Sequence, residues 1–197
     1  AELRPPEAGC YLLLPASGTA PRARLAQRGQ AALEAGQVAV AVLNGGMATR
    51  FGGRVKGVVD ALPGRSFLAL QADRLRAVAE ELGVAPSWLI MNSRATEATT
   101  WEHLEALRFG GLDPAGVRCF VQSGAPRLRP DGSLYRDAAG QLSIYGPGHG
   151  DLVPSLQRTG ALAWAQERGV ELLLMANVDN LGASLDPALL GHFAASG

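Results

Sequence analysis

With 197 residues, 47% of them apolar and 18% charged, the chain carries enough hydrophobic material for one globular domain and too little charge for a disordered one. Eighteen basic and eighteen acidic side chains cancel, which removes the electrostatic footprint of a nucleic-acid binder or a membrane-surface protein, so any phosphate recognition has to be local. No apolar run approaches the ~20 residues of a transmembrane helix, the N-terminus around Arg4-Pro5-Pro6-Glu7 lacks a signal-peptide pattern, and Cys10 and Cys119 have no metal-ligand spacing; the chain reads as soluble and cytoplasmic.

Residues 1–24, with prolines at 5, 6, 15 and 21, read as an irregular lead-in, and residues 25–197 as the folded domain. An alanine-rich helix is predicted over 26–33, ending at Gly36, before the β-branched run at 38–43 enters as a buried strand. Next comes a glycine-rich loop, Leu43-Asn44-Gly45-Gly46-Met47-Ala48-Thr49-Arg50-Phe51-Gly52-Gly53-Arg54-Val55-Lys56-Gly57. Ser66 then caps a helix with Phe67, Leu68, Leu70, Leu75 and Val78 on its apolar face, stopped at Gly83. A second strand is expected at 87–91, followed by a helix capped by Ser93 and running through Trp101, Leu104 and Leu107 to Gly110-Gly111. A third strand falls at 117–121, with Cys119 inside it as a small hydrophobe. Asp131-Gly132 and Ala139-Gly140 turns between short alternating segments predict a hairpin outside the main sheet. One helix over 154–167, a strand at 170–176 and a last helix opened by Pro187 complete the chain. Strands alternating with helices predict an α/β fold with a mostly parallel sheet.

The loop at 44–57 leaves the carboxyl end of a strand, where ligands bind in open α/β sheets. Paired glycines let the backbone approach a ligand and turn N–H groups toward an anion, Thr49 adds a hydroxyl, and Arg50 adds a fork of donors. The chain has seventeen arginines and one lysine, Lys56. A compact ammonium follows a phosphoryl group whose charge moves during reaction better than a planar guanidinium does. The four asparagines, Asn44, Asn92, Asn177 and Asn180, each follow a predicted strand. The loop, Asn92-Ser93, Gln122 with Gly148-His149-Gly150, and Asn177-Val178-Asp179-Asn180 therefore line up on one edge of a parallel sheet, where they can converge on one ligand. Neither common glycine-loop motif accounts for this: the loop is not G-x-G-x-x-G, and Gly57 after Lys56 excludes a P-loop, which needs Ser or Thr there. His103 and His192 lie in helical segments without a partner motif, and Trp88, Trp101 and Trp164 read as core aromatics.

Together, Leu43-Asn44-Gly45-Gly46-x-x-Thr49-Arg50-x-Gly52 with Lys56, Gln122 after a strand, Pro147-Gly148-His149-Gly150-Asp151-Leu152 and Asn177-Val178-Asp179-Asn180-Leu181-Gly182-Ala183 resemble the UDP-sugar pyrophosphorylase family, in particular its UTP–glucose-1-phosphate uridylyltransferases. The resemblance implies a Rossmann-like nucleotidyltransferase domain joining UTP to a sugar 1-phosphate, most simply glucose 1-phosphate, with Mg²⁺ and release of pyrophosphate. It places Leu43, Asn44, Gly45 and Gly46 along the uridine and its phosphates, and Arg50 and Lys56 as catalytic groups at the triphosphate. Gln122 becomes the uracil reader, Gly148 and Gly150 close on the base, His149 reaches toward phosphate, Asn177 touches the sugar and Asp179 holds the metal. Met47-Ala48 stands where relatives have a loop glycine, and Val55 where many have proline. Members of the family continue well past the length seen here, so the sheet is expected to be incomplete on its C-terminal side. The rival expectation is a uridine-nucleotide-binding module without turnover.

Overall fold

The computed structural model describes residues 13–48 and 53–196, so the expectations for Thr49, Arg50 and Cys10 lie outside the described residues. In chain order the main elements are α1 (Ala20–Glu34), β1 (Val38–Leu43), α2 (Phe67–Leu82), β2 (Ser87–Asn92), α3 (Glu97–Ala106), β3 (Val117–Val121), α4 (Leu152–Arg158), α5 (Ala161–Glu167), β4 (Leu172–Asn177) and α6 (Pro187–Ala195). The four strands form one sheet in the order β4-β1-β2-β3, every pair parallel.

β1 and β2 are buried at every residue, which explains why they read as unbroken apolar runs. Successive side chains of a strand point to opposite faces, so Val40 and Val42 meet Leu68, Ala72 and Leu104 on one side, where α2 and α3 lie. Ala39, Ala41 and Leu43 meet Leu156, Ala161 and Ala165 of α4 and α5 on the other. The chain steps outward from β1 to β2 and β3, then returns to place β4 on the free side of β1. This reversal makes a topological switch point between β1 and β4, with Leu43 in register with Asn177.

Several predicted boundaries move, each for a local reason. α1 starts at Ala20, inside the predicted lead-in, because Thr19 Oγ1 accepts from Arg22 N and Pro21 is tolerated in a first helical turn. α3 starts at Glu97: Ser93 N donates to Thr96 Oγ1 at 2.9 Å and the Ser93 carbonyl accepts from Thr96 and Glu97, which makes a turn before the helix rather than a cap on it. The single helix expected over 154–167 is two, α4 and α5, because Gly160 takes a left-handed φ of 73° between them. The segment at 125–145 does project outside the sheet, but as three short stretches: Arg127 donates to Ser143 O, Ser143 to Tyr135 O and Tyr135 to Arg127 O, closing a ring of backbone hydrogen bonds that a two-stranded hairpin lacks. Of the three tryptophans Trp88 is fully buried in the core and Trp164, half-buried beneath Arg168, packs against it, while Trp101 is 40% exposed and edge-on to Phe109. Ser66, Gly83 and Pro187 act as expected at their helix ends.

α1 and α6 cross with their backbones in close contact. A Cβ added at Gly29 would run into the Pro187 carbonyl, and one added at Gly191 into the Leu25 carbonyl. Backbone cannot yield as a flexible side chain can, so Gly191→Ala is expected to lower stability by about 3 kcal/mol, the upper end of the overpacking range. Urea unfolding followed by circular dichroism measures this; an unchanged midpoint would show that the helices separate freely.

Candidate active site

The parallel ladder runs one residue past the strands. Asn44 N donates to Met91 O, Gln122 N to Asn92 O and Val178 N to Leu43 O, at 2.8, 2.8 and 3.3 Å. These bonds bring the segments after β1, β2, β3 and β4 to one level along the carboxyl edge. At the switch point Lys56 Nζ donates to Asp179 Oδ2 at 3.1 Å, so two residues 123 positions apart meet as an ion pair, each side chain 39% exposed. Asn177 stands exposed at the end of β4 beside them.

Gln122 lies at the other end of this edge. It is only 7% exposed, and a Cβ at Gly45 or Gly146 would collide with its amide, so two glycines are required to seat it. Its Oε1 has no hydrogen-bond partner among the described residues. A buried amide oxygen left open in this way costs stability and marks a place where a ligand donor can be received. Two openings flank it: one of about 290 Å³ lined by Gly45, Ser93, Arg94, Arg127 and Tyr145 among others, and one of about 420 Å³ bounded by Arg94, Gln122, Ser123 and Arg158. Arg127 also stacks on Tyr145 at 5.9 Å. Arg94, Arg127 and Tyr145 were not singled out from the sequence, where they stand in no motif of their own.

Gly148, with φ of 92°, opens a tight turn at His149–Asp151. His149 and Gly150 are exposed on that turn. Asp151 fastens it to β3, accepting from Ser123 N at 2.5 Å and Ser155 Oγ at 2.6 Å, while Arg158 donates to Val121 O at 2.7 Å. The Gly148 to Gly150 backbone is thereby held against the segment that carries Gln122.

Two residues expected along the uridine have their side chains turned inward. Leu43 packs in the core, and Asn44 is fully buried with every polar valence of its amide used: Nδ2 donates to Asn92 Oδ1 at 2.9 Å and Thr100 Oγ1 at 2.8 Å, and Oδ1 accepts from Gly57 N at 3.0 Å. Nothing in the spacing of Thr100 pointed to this. His103, read as a surface or packing residue, has Nε2 2.7 Å from Ser66 Oγ; burial lowers its pKa, with Asp60 acting in the opposite direction. Burial pushes the half-buried Cys119 thiol up to about 11, with Asn92 pulling it the other way, so it is no ready nucleophile. No group of three or more His, Cys, Asp or Glu side chains able to hold a metal gathers among the described residues. Asp179 by itself still fits a hard cation that takes one carboxylate and keeps water and phosphate oxygens as its other ligands.

The Asp151 carboxyl sits below the usual aspartate range: its partial burial opposes ionisation, and the bonds from Ser155 and Ser123, with the nearby Arg158 charge, outweigh that. A group whose folded pKa is depressed adds stability that is fully present above its unfolded value, about 3.9, and is lost as pH falls through the folded one. The stability difference between the native chain and Asp151→Asn should therefore be constant from pH 7 to 5 and shrink below about pH 4. Chemical unfolding across that range tests it; a difference independent of pH would remove the charge from the account.

The UTP–glucose-1-phosphate uridylyltransferase family profile matches residues 13–197. The chain is 33% identical over 160 residues to a UTP–glucose-1-phosphate uridylyltransferase of Solanum tuberosum, covering 79% of this chain and 33% of that protein. It is 33% identical over 165 residues to one of Saccharomyces cerevisiae, covering 82% and 32%. Among solved structures, a Trypanosoma brucei UDP-N-acetylglucosamine pyrophosphorylase superposes with a TM-score of 0.78 at 25% identity over 88% of this chain and 38% of that one. A Leishmania major UDP-glucose pyrophosphorylase gives 0.72 at 26% identity over 84% and 35%. The chain spans about a third of the length of these relatives. The match covers nearly the whole described chain and carries each of the four strand-end segments, so this chain belongs to the UTP–glucose-1-phosphate uridylyltransferase family.

Proposed function

We propose that this chain supplies the uridine-nucleotide half of an enzyme that joins UTP to a sugar 1-phosphate, giving a UDP-sugar and pyrophosphate. The observation that carries the reading is the pairing of Lys56 with Asp179 at the switch point, on the same edge as the buried, open amide of Gln122. Uracil offers a donor at N3 beside carbonyl acceptors, so a Gln122 Oε1 that lacks a donor and an Nε2 that can give one match its edge. Gly45, Gly46, Gly148 and Gly150 let the backbone close on the nucleotide, Arg50 and His149 reach its phosphates, and Asn177 meets the sugar hydroxyls. Glucose is favoured by the names of relatives that are 33% identical, though N-acetylglucosamine enzymes share the fold.

In the reaction a phosphate oxygen of the sugar 1-phosphate attacks the α-phosphorus of UTP in line. A new P–O bond forms, the bond from the α-phosphorus to its bridging oxygen breaks, and the electron pair leaves on pyrophosphate. Lys56 holds its ammonium where that charge grows, and no covalent bond to the protein is required. Asp179 would hold Mg²⁺, which when bound neutralises phosphate charge. Part of Lys56's role is realised only as charge shifts, so Lys56→Ala in the complete gene product should lower kcat roughly 10²–10³-fold while changing the Kd for UTP only a few-fold. Pyrophosphate release with a panel of sugar 1-phosphates measures the first and calorimetry the second. Unchanged kcat would overturn the role of Lys56, and UTP binding without release for any sugar would favour a binding module.

A further inference from the structure

We infer that Asn44, Thr100 and Asn92 are positioning residues for Lys56, a buried bracket that fixes the root of the lysine while its tip pairs with the exposed Asp179; this rests on the nucleotide reading above. Every polar side-chain atom of Asn44 and Thr100 is hydrogen-bonded in this bracket, and Asn92 accepts from Asn44 through Oδ1 while its Nδ2 has no partner among the described residues. Asn44, Thr100 and Asn92 are each 0% exposed. The Thr100 hydroxyl donates to the Thr96 carbonyl at 2.6 Å, which commits its proton and leaves a lone pair for Asn44 Nδ2. With one Nδ2 hydrogen on Thr100 and the other on Asn92, the Asn44 amide can present its oxygen in only one direction, toward Gly57 N.

Gly57 follows Lys56 directly, so its peptide nitrogen is bonded to the Lys56 carbonyl carbon and the two Cα atoms stand about 3.8 Å apart. Lys56 N donates to Gly46 O at 3.4 Å, closing the loop from the other side. Gly57 also has no room to drift: a Cβ there would strike Asn44 Oδ1 and come within 2.9 Å of the Leu68 side chain. A flexible four-carbon stem acts reproducibly on a phosphate only if its backbone is held. A buried polar network in an otherwise apolar α/β core costs desolvation that hydrophobic side chains of the same volume would avoid, so its placement at the lysine's root is explained by function better than by stability.

The test is a double-mutant comparison read by calorimetry with uridine and UTP as probes, on the chain as it stands, and by steady-state kinetics on the complete gene product. Thr100→Val keeps the volume and removes the acceptor, so Lys56 loses its position: kcat should fall at least tenfold, UTP should bind about threefold more weakly, no more than on losing Lys56 itself, and uridine binding should be unchanged. Thr100→Ser restores the hydroxyl and should recover UTP binding. In the Lys56→Ala background, Thr100→Val should add almost nothing to either loss, because a residue acting through Lys56 has nothing left to act on. Gly57→Ala displaces the same peptide from the loop side and should give the same split between uridine and UTP, which covers the case in which Thr100→Val does not fold. Equal weakening of uridine and UTP, or losses that multiply in the double variant, overturns the inference. A native chain that binds neither probe overturns the nucleotide reading and this inference with it, so the two failures are told apart.

Discussion

The rest of the structure depends on the complete burial of β1. A strand that presents apolar side chains on both faces and hydrogen-bonding groups on both edges can be placed in water only if it is covered four ways. β2 and β4 supply the edges, α2 with α3 and α4 with α5 the faces. Because β2 follows β1 in sequence and β4 comes last, covering both edges forces the chain to reverse, and that reversal opens a crevice at the carboxyl ends. The small side chains of Ala39 and Ala41 let α5 approach closely through Ala161 and Ala165. Where the apolar run stops, the next residue is Asn44, still fully buried, so the passage from core to site is made by a polar group whose every bond is satisfied.

Positive charge is divided by chemistry. Arginine serves as a tether: Arg74 reaches the Leu181 and Ala183 carbonyls, Arg158 the Val121 carbonyl, and Arg22 pairs with Asp186 at the cap of α6. A rigid fork of donors suits fixed carbonyls and carboxylates. The lone lysine pairs with Asp179 at the switch point, where the proposed reading calls for a partner that changes. Exposed pairs such as Arg76 with Glu80 on α2 add at most about 0.5 kcal/mol each, so the fold rests on apolar packing rather than on this charge lattice.

The four main strands and the parallel sheet were legible in the sequence because a continuous β-branched or leucine run has no other stable place to go. Helix ends were legible only where one residue decides them, as Ser66 and Gly83 do for α2. They failed where competing local signals had to be weighed: Gly160 reads as an ordinary residue inside a helical pattern, and Pro21 reads as a breaker although it sits in a first turn. At the site, Lys56, Gln122 and Asp179 stand out by type and motif, and the structure puts all three on one edge. Thr100 does not stand out, because its role consists of a hydrogen bond to a partner far away in the chain, and Asp151 stands in a motif but nothing there points to Ser123 as its partner. The buried destination of the Asn44 side chain was hidden for the same reason: strand-end asparagines look alike whether they face a ligand or the interior.

The two ends of the candidate site differ in how much water they exclude, and this decides how each can act. Gln122 is gripped between Gly45 and Gly146 with its oxygen open, so on the proposed reading it would receive a base without rearrangement, and a mismatched edge would leave a buried acceptor unpaired at a cost of about 1–3 kcal/mol. The Lys56–Asp179 pair is more than a third exposed, and an ion pair in that environment contributes only about 0–1 kcal/mol. Drawing Lys56 away from Asp179 toward a phosphate, as the proposed reading requires, would therefore cost little, while the bond from Gly57 N to Asn44 holds the backbone at the root of the lysine. On the proposed reading, a rigid reader and a loosely held lysine on one edge would divide the work, selectivity resting on the fixed amide and charge left free to follow the substrate.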